Sequence, residues 1–186
     1  MRVTDTALDG VKVLEYDVHT DCRGYSFPIL DRVQLRQAGL DFDFSQEVVY
    51  HSEKAGTLYG IHFQNAPKAQ TKLLYCIQGR GLDYAVDLRR ESPTYLQWVC
   101  VELSAENRRQ ILIPKGFGHA FLALEDSTRN VIALTSPLTR ATPGRFSERP
   151  AHRHGIPEPT AQPRAARHRR QGAGRDGRAV LRNQIQ

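Results

Sequence analysis

Gly60-Ile61-His62-Phe63-Gln64, answered far downstream by Ile113-Pro114-Lys115-Gly116-Phe117-Gly118-His119-Ala120-Phe121, decides the fold. Each run sets a histidine on an apolar, strand-like segment punctuated by glycine, and two such strands can turn both imidazoles toward one cavity. Phe63 and Gln64 follow His62 where a metal site would need further nitrogen or oxygen ligands, so a set of three or four cannot be assembled locally. The expected pocket holds imidazoles without a metal, suited to proton transfer near neutral pH.

Outward from these runs the hydrophobic period is two. Segments 46–51, 57–63, 72–78, 82–88, 97–103, 110–114 and 119–125 are short and rich in Val, Ile, Leu, Tyr and Phe, and turn residues such as Gly79-Arg80-Gly81 and Glu91-Ser92-Pro93 separate them. That spacing predicts antiparallel β-structure. Only 30–38 has a helical pattern, and in 104–107 Ser104 with Asn107 predicts a turn rather than a helix. Short strands without helical crossovers imply a sandwich or barrel. The His62 and His119 runs are half-matches to the two short motifs that line the barrel of the cupin superfamily, which selects a cupin-type jelly roll. The expected class is all-β, with few short helices.

The charge divides along the chain. From Pro137 onward there are eleven arginines, no lysine and three acids, a balance of +8, so residues 1–136 carry −2 of the total +6. Residues 1–136 form the expected domain, and 137–186, crowded with Arg, Pro, Gly, Gln and Ala, an irregular tail that cannot build a core. Phe146 is the only aromatic residue of that tail, too little for base stacking, so no nucleic-acid partner is expected. Cys22, Cys76 and Cys100 are widely spaced and form no Cys-x-x-Cys, so neither a disulfide framework nor a zinc site is expected. Cys76 and Cys100 lie in apolar runs as packed thiols. No membrane-length apolar run or targeting pattern appears, which predicts a cytoplasmic protein, and edge strands of such a fold predict a homodimer.

Five runs carry a resemblance to a known family: Gly60-Ile61-His62-Phe63-Gln64, Ala69-Gln70-x-Lys72-Leu73, Asp83-x-Ala85-Val86-Asp87-Leu88-Arg89-x2-Ser92-Pro93-Thr94, Trp98 through Asn107, and Pro114-x-Gly116-Phe117-x-His119-x-Phe121. From about Asp21 to Asp126 the chain resembles the dTDP-4-dehydrorhamnose 3,5-epimerases, cupin-like enzymes of deoxysugar biosynthesis that act without a metal or other cofactor on a nucleotide-linked 4-keto-6-deoxyhexose. The resemblance implies His62 as the base that removes a proton next to the ketone, and Lys72 as the cation that steadies the enolate. Asp83 alternates with Tyr84, so an inward carboxylate can orient an imidazole. Asp87 shares its face, and one of the two is expected to be a solvated strand end. The resemblance implies substrate contacts from His119 and from Arg23, whose segment Asp21-Cys22-Arg23-Gly24 would meet the diphosphate. Tyr59 and Gln64, on either side of His62, complete the expected substrate-binding set with Lys72.

Departures from the family pattern are specific. Tyr59 stands where the family has an arginine, Phe27-Pro28 replaces an expected glutamate, and Ile132 occupies the place of the proton-donating tyrosine. That loss predicts a 3-epimerase, a keto-isomerase relative, a catalytically impaired member, or an enzyme using another donor such as Tyr59 or Tyr75. A shift of reading frame near residues 136–145 accounts for the Arg-rich tail and for the missing Asp-Pro-x-Ile-Gly segment of the family.

Overall fold

The computed structural model describes residues 1–138. The irregular tail expected for 137–186, and the frame change inferred for it, lie outside the described residues apart from Pro137 and Leu138. The described residues form strands β1 (Arg2–Asp5), β2 (Lys12–Glu15), β3 (His19–Asp21), β4 (Gly24–Ser26), β5 (Gln46–Ser52), β6 (Leu58–His62), β7 (Lys72–Gln78), β8 (Arg80–Asp87), β9 (Trp98–Ser104), β10 (Gln110–Ile113), β11 (Phe117–Ala123) and β12 (Thr128–Leu134), with helix α1 (Arg32–Gln37) before β5.

Two antiparallel sheets face each other. One has six strands in the order β1-β2-β10-β7-β12-β5, the other four in the order β6-β11-β8-β9, and β3-β4 forms a separate hairpin. Between the sheets lies a core of Val13, Leu74, Ile111, Ile113, Ile132 and Leu134 from the larger sheet against Ala85, Val99, Val101, Leu103 and Phe117 from the smaller. This is the expected jelly roll, and its alternation is the expected one: every second side chain points inward.

The larger sheet is covered on its outer side as well. Leu14, Leu73, Leu112 and Ala133 pack there with Leu35 of α1, Leu40 and Phe44. Double coverage explains why β7 reads as a continuous apolar run instead of alternating. A fully buried leucine contributes about 1.5–3 kcal/mol relative to an exposed one.

Local signals frame the helix. The Asp31 side chain accepts from Val33 N and Gln34 N at its start, a cap worth roughly 0.5–2 kcal/mol. At its end Gly39, with φ +74°, returns the chain so that Leu40 N donates to Leu35 O at 2.8 Å and Gly39 N to Arg36 O at 2.9 Å. This is a Schellman motif, and it delivers Leu40 to the core. The turn expected at Ser104–Asn107 is present, closed by Asn107 N donating to Ser104 Oγ at 2.9 Å and Ser104 N to Asn107 Oδ1 at 3.0 Å.

Strands β1 to β4 and β12 were not expected from the pattern. The first four are three or four residues long and rich in charged or polar side chains, too short for a period to show. β12 opens on Thr128, Arg129 and Asn130 ahead of a four-residue apolar run, yet Asn130 is 1% exposed.

Candidate active site

The site is built where β6 runs beside β11. His119 pairs with His62 in register and Ala120 with Gly60, and a bulge lies between the two pairs. Glycines make the approach possible. A Cβ on Gly60 would stand 2.6 Å from His119 O and 2.7 Å from Ala120 Cα, and one on Gly118 would stand 2.6 Å from Ile61 Cγ2. Larger residues at either position would push the two histidine strands apart.

Alternation places His62, His119, Asp83 and Tyr59 on the inner face of the smaller sheet. Lys72 comes from the other sheet. It begins β7, pairs with Ile113 and Leu134, and its Nζ crosses to donate to His62 O at 3.0 Å. A lysine 5% exposed is expensive to ionise, and burial lowers its ammonium to about 8 against the opposing pull of Asp83. At neutral pH it is mostly protonated, and its charge sits against the His62 backbone carbonyl.

His119 and Asp83 form a buried pair, Nε2 to Oδ2 at 3.0 Å, at 2% and 0% side-chain exposure. Burial raises the Asp83 carboxyl above the usual carboxylate range, and His119 and Lys72 pull it back only in part. Asp83 Oδ1 and His119 Nδ1 are buried with no hydrogen-bond partner among the described residues. Asp83 therefore orients an imidazole, as expected from its alternation, and that imidazole is His119. His62, Lys72, Asp83 and His119, four of the expected site residues, are thus brought together.

The remaining expected residues have other placements. Tyr59 donates its hydroxyl to His51 O at 3.0 Å, and its ring stands edge-on to that of Tyr50 at 5.3 Å. Gln64 Nε2 donates to Lys68 O at 2.8 Å and approaches Pro137 O at 3.5 Å, bracing the segment after β6. Arg23 lies on the exposed β3-β4 hairpin, ion-paired with Asp21 at 2.6 Å. Neither Asp83 nor Asp87 is the expected solvated strand end: Asp87 too is fully buried, bonded by Arg89, Ser92 and Thr94, with its carboxyl held far below the usual range by the Arg89 guanidinium.

Tyr75, one of the two donors expected in place of a tyrosine at 132, is sorted from Ile132 by its face. Ile132 is buried on the inner face beside Leu74, with Val48 and Tyr50 packed against that cluster. Tyr75 alternates with Leu74 onto the opposite side, shared with Leu73, away from the face that carries Ile132. Pattern reading missed Tyr50, although the period of two in 46–51 puts it on the same face as Val48. Cys76 and Cys100 are packed as expected, whereas Cys22 is exposed: Cys76 Sγ donates to carbonyls, and burial pushes Cys100 up to about 11. Among the described residues no three of His, Cys, Asp and Glu are grouped to hold a metal ion.

The family model described as dTDP-4-dehydrorhamnose 3,5-epimerase matches residues 5–143. The chain belongs to that family. A relative of that name from Methanothermobacter thermautotrophicus is 45% identical over 125 residues, covering 67% of this chain and 66% of its own length. Among solved structures, the Bacillus anthracis dTDP-4-dehydrorhamnose 3,5-epimerase with TDP and PPi bound aligns with TM-score 0.73 at 40% identity, covering 74% of this chain and 79% of that one. A 3'-monoepimerase from Streptomyces bikiniensis in complex with dTDP-quinovose aligns with TM-score 0.67 at 36% identity, covering 72% of this chain and 67% of that one. The match thus spans about two thirds of the archaeal relative and excludes most of the Arg-rich tail. Among the described residues no helix is long and apolar enough to cross a membrane.

Proposed function

We propose that the chain epimerises C3, C5 or both in a dTDP-linked 4-keto-6-deoxyhexose, as an isomerase of rhamnose-type deoxysugar synthesis. His62 takes the proton from the carbon next to the ketone, and the electron pair moves onto the carbonyl oxygen to give an enolate. Lys72 stabilises that oxygen, and a proton returns to the carbon from the opposite face. The observation that carries this reading is the buried Lys72 ammonium, held 3.0 Å from the His62 carbonyl at the meeting of the two sheets. A cation already desolvated there meets developing charge without waiting for solvent to reorganise. The Asp83–His119 pair holds a second imidazole beside it for the sugar. Tyr59, Gln64 and Arg23 belong to the substrate-binding surface in this reading, with Arg23 directed to the diphosphate.

The replacement of the family tyrosine by Ile132 favours a second reading in which C3 alone is inverted. The proposal includes a homodimer, supported by the exposed apolar side chains Ile61, Leu96 and Trp98, and checked by sedimentation equilibrium. It also places the protein in the cytoplasm, because a sugar carrying a nucleotide diphosphate does not cross a membrane unaided. The deciding experiment incubates the full chain with dTDP-4-keto-6-deoxyglucose in D₂O. Deuterium at C3 only, or at C3 and C5, separates the two readings; deuterium at neither ends both. His62→Ala should abolish the exchange, a loss on the order of 10² to 10⁴ in rate.

A further inference from the structure

The β3-β4 hairpin carries Arg23, and little within the hairpin holds that arginine in place. Each strand has three residues, all exposed, and the two pair only with each other. A hairpin of this size is marginal in water by itself. Its feet are tied to the body, where Asp31 N donates to the Tyr16 hydroxyl at 3.1 Å and Gln110 Nε2 donates to Ile29 O at 2.8 Å. At its turn Asp21 accepts from Arg23 N at 2.8 Å and from Arg23 Nη2 at 2.6 Å. Those bonds fix the guanidinium relative to the hairpin, not relative to the rest of the protein.

A contact from the β9-β10 connection supplies that second reference. The Arg108 guanidinium lies over the Tyr25 ring, 5.3 Å from its centroid, and Tyr25 stacks on Phe27 at 6.1 Å. Among the described residues it is the one ring contact, side-chain hydrogen bond or ion pair that joins β3 or β4 to the body. The connection that carries Arg108 is itself locked. Arg108 N donates to Ser104 O at 3.0 Å, Arg109 N donates to Asn107 Oδ1 at 3.0 Å, and Asn107 Nδ2 donates to Glu102 O at 2.9 Å. Arg108 is held there at φ +55°, a left-handed bend that glycine or asparagine fits more easily. Its neighbour Arg109 pairs with Glu15 at 3.3 Å, whereas among the described residues no carboxylate pairs with Arg108. The Arg108 charge is spent on a ring face. Tyr25 is two residues from Arg23, and both line a cavity of about 330 Å³ on the hairpin together with His19, Asp21 and Ser26.

We propose that Arg108 is a positioning residue for Arg23: by holding the Tyr25 ring it fixes the hairpin that presents Arg23 to the diphosphate of the sugar nucleotide. The inference rests on the reading of Arg23 given above. A guanidinium already held in place loses less freedom when it meets phosphate, so anchoring the hairpin tightens binding without touching the ligand. The chemical step belongs to His62 and Lys72 and does not draw on this contact.

The test is calorimetric binding of dTDP beside turnover of dTDP-4-keto-6-deoxyglucose, on the full chain as wild type, Arg23→Ala, Arg108→Gln, Arg108→Lys and Arg23→Ala/Arg108→Gln. Arg23→Ala should weaken dTDP on the order of tenfold or more, the loss of a charge-assisted phosphate contact. Arg108→Gln should weaken it about two- to fivefold, the range of a partly exposed cation–π contact, and raise KM with kcat unmoved. Arg108→Lys should recover most of that loss, since an ammonium also binds a ring face. In the Arg23→Ala background Arg108→Gln should add nothing. A further loss there would make Arg108 a direct phosphate ligand and overturn the positioning role. Wild-type affinity in Arg108→Gln beside a weakened Arg23→Ala overturns it too and leaves the Arg23 reading intact, and so does a fall of kcat together with melting temperature, which would mark a structural role only. Undiminished dTDP binding by Arg23→Ala overturns the Arg23 reading and the Arg108 inference with it.

Discussion

Asp83 and Asp87 lie four residues apart on one face of β8, both 0% exposed, and burial has opposite consequences for them. Asp87 accepts from Arg89 N, Nε and Nη2 and from the Ser92 and Thr94 hydroxyls, so its carboxyl is held well below the usual range. Asp83 has one bond, to His119, and one oxygen without a partner among the described residues, and its carboxyl is raised. The first carboxylate is completed by its own loop and closes the end of the sheet. The second is left incomplete, bonded to His119 and within the field of the buried Lys72. Burial alone does not mark a functional acid; burial with unmet hydrogen-bonding capacity does.

The contrast breaks if the two carboxylates respond alike to substitution. Asp87→Asn should cost roughly 3 kcal/mol of stability, the lower end for a broken buried pair because Arg89 is about a third exposed and can recover some hydration. Turnover per folded molecule should hardly change. Urea denaturation with the activity assay reads both numbers, and an inactive but stable Asp87→Asn chain would reverse the assignment of roles.

Lys72→Met should lower turnover on the order of 10²-fold or more with little loss of sugar-nucleotide affinity, because the charge it meets develops mainly in the transition state. Calorimetric binding beside turnover decides this. Equal losses would make Lys72 a ground-state ligand. Stability should not fall, since the substitution removes an ammonium whose burial is unfavourable.

Asp83→Asn should reduce turnover by roughly 10- to 100-fold, the usual effect of removing a carboxylate that orients an imidazole. Its melting temperature should stay near that of the wild type, the opposite of Asp87→Asn. A large loss of stability would place Asp83 in the same class as Asp87.

The smallest effects are in pH. Folding depresses the Asp87 pKa, so the stability it contributes is present above the unfolded value of about 3.9 and is lost as pH falls through the folded one. Folding raises that of Asp83, so its contribution is present below about 3.9 and lost as pH rises through the folded value. Subtracting the denaturation curves of the two Asn variants from the wild type across pH 2–7 should give slopes of opposite sign. Lys72 adds a limb to activity: turnover should fall as pH rises through about 8, where the ammonium is lost, and this limb should vanish in Lys72→Met.

Much of the larger architecture was legible from alternation. Seven segments of period two were expected and all seven are strands, with ends displaced by one or two residues. Glycine at 60 and 118 and the cap at Asp31 are local signals with local causes. β12, which opens on polar residues, was harder, because what it packs against comes from distant parts of the chain. At the site, His62, Lys72, Asp83 and His119 were nameable from their motifs. Asp87 was ambiguous, since its partners follow a turn whose closure the period does not reveal. Tyr50 is carried by no motif, although the period of two sets it on the face of Val48.

Sequence by itself determined the all-β class, the family, the histidine pair and the split between a mildly acidic body and an Arg-rich tail, because these depend on side-chain identity and on periods within a few residues. Tertiary structure alone decided that Lys72 reaches His62 from the opposite sheet, that Asp83 serves His119, and that Tyr50 shares the inner face with Ile132 while Tyr75 does not. Each of these is a relation between strands joined far apart in the chain. Register and sheet order set such relations, and a one-residue slip would have turned every one of those side chains to the other face.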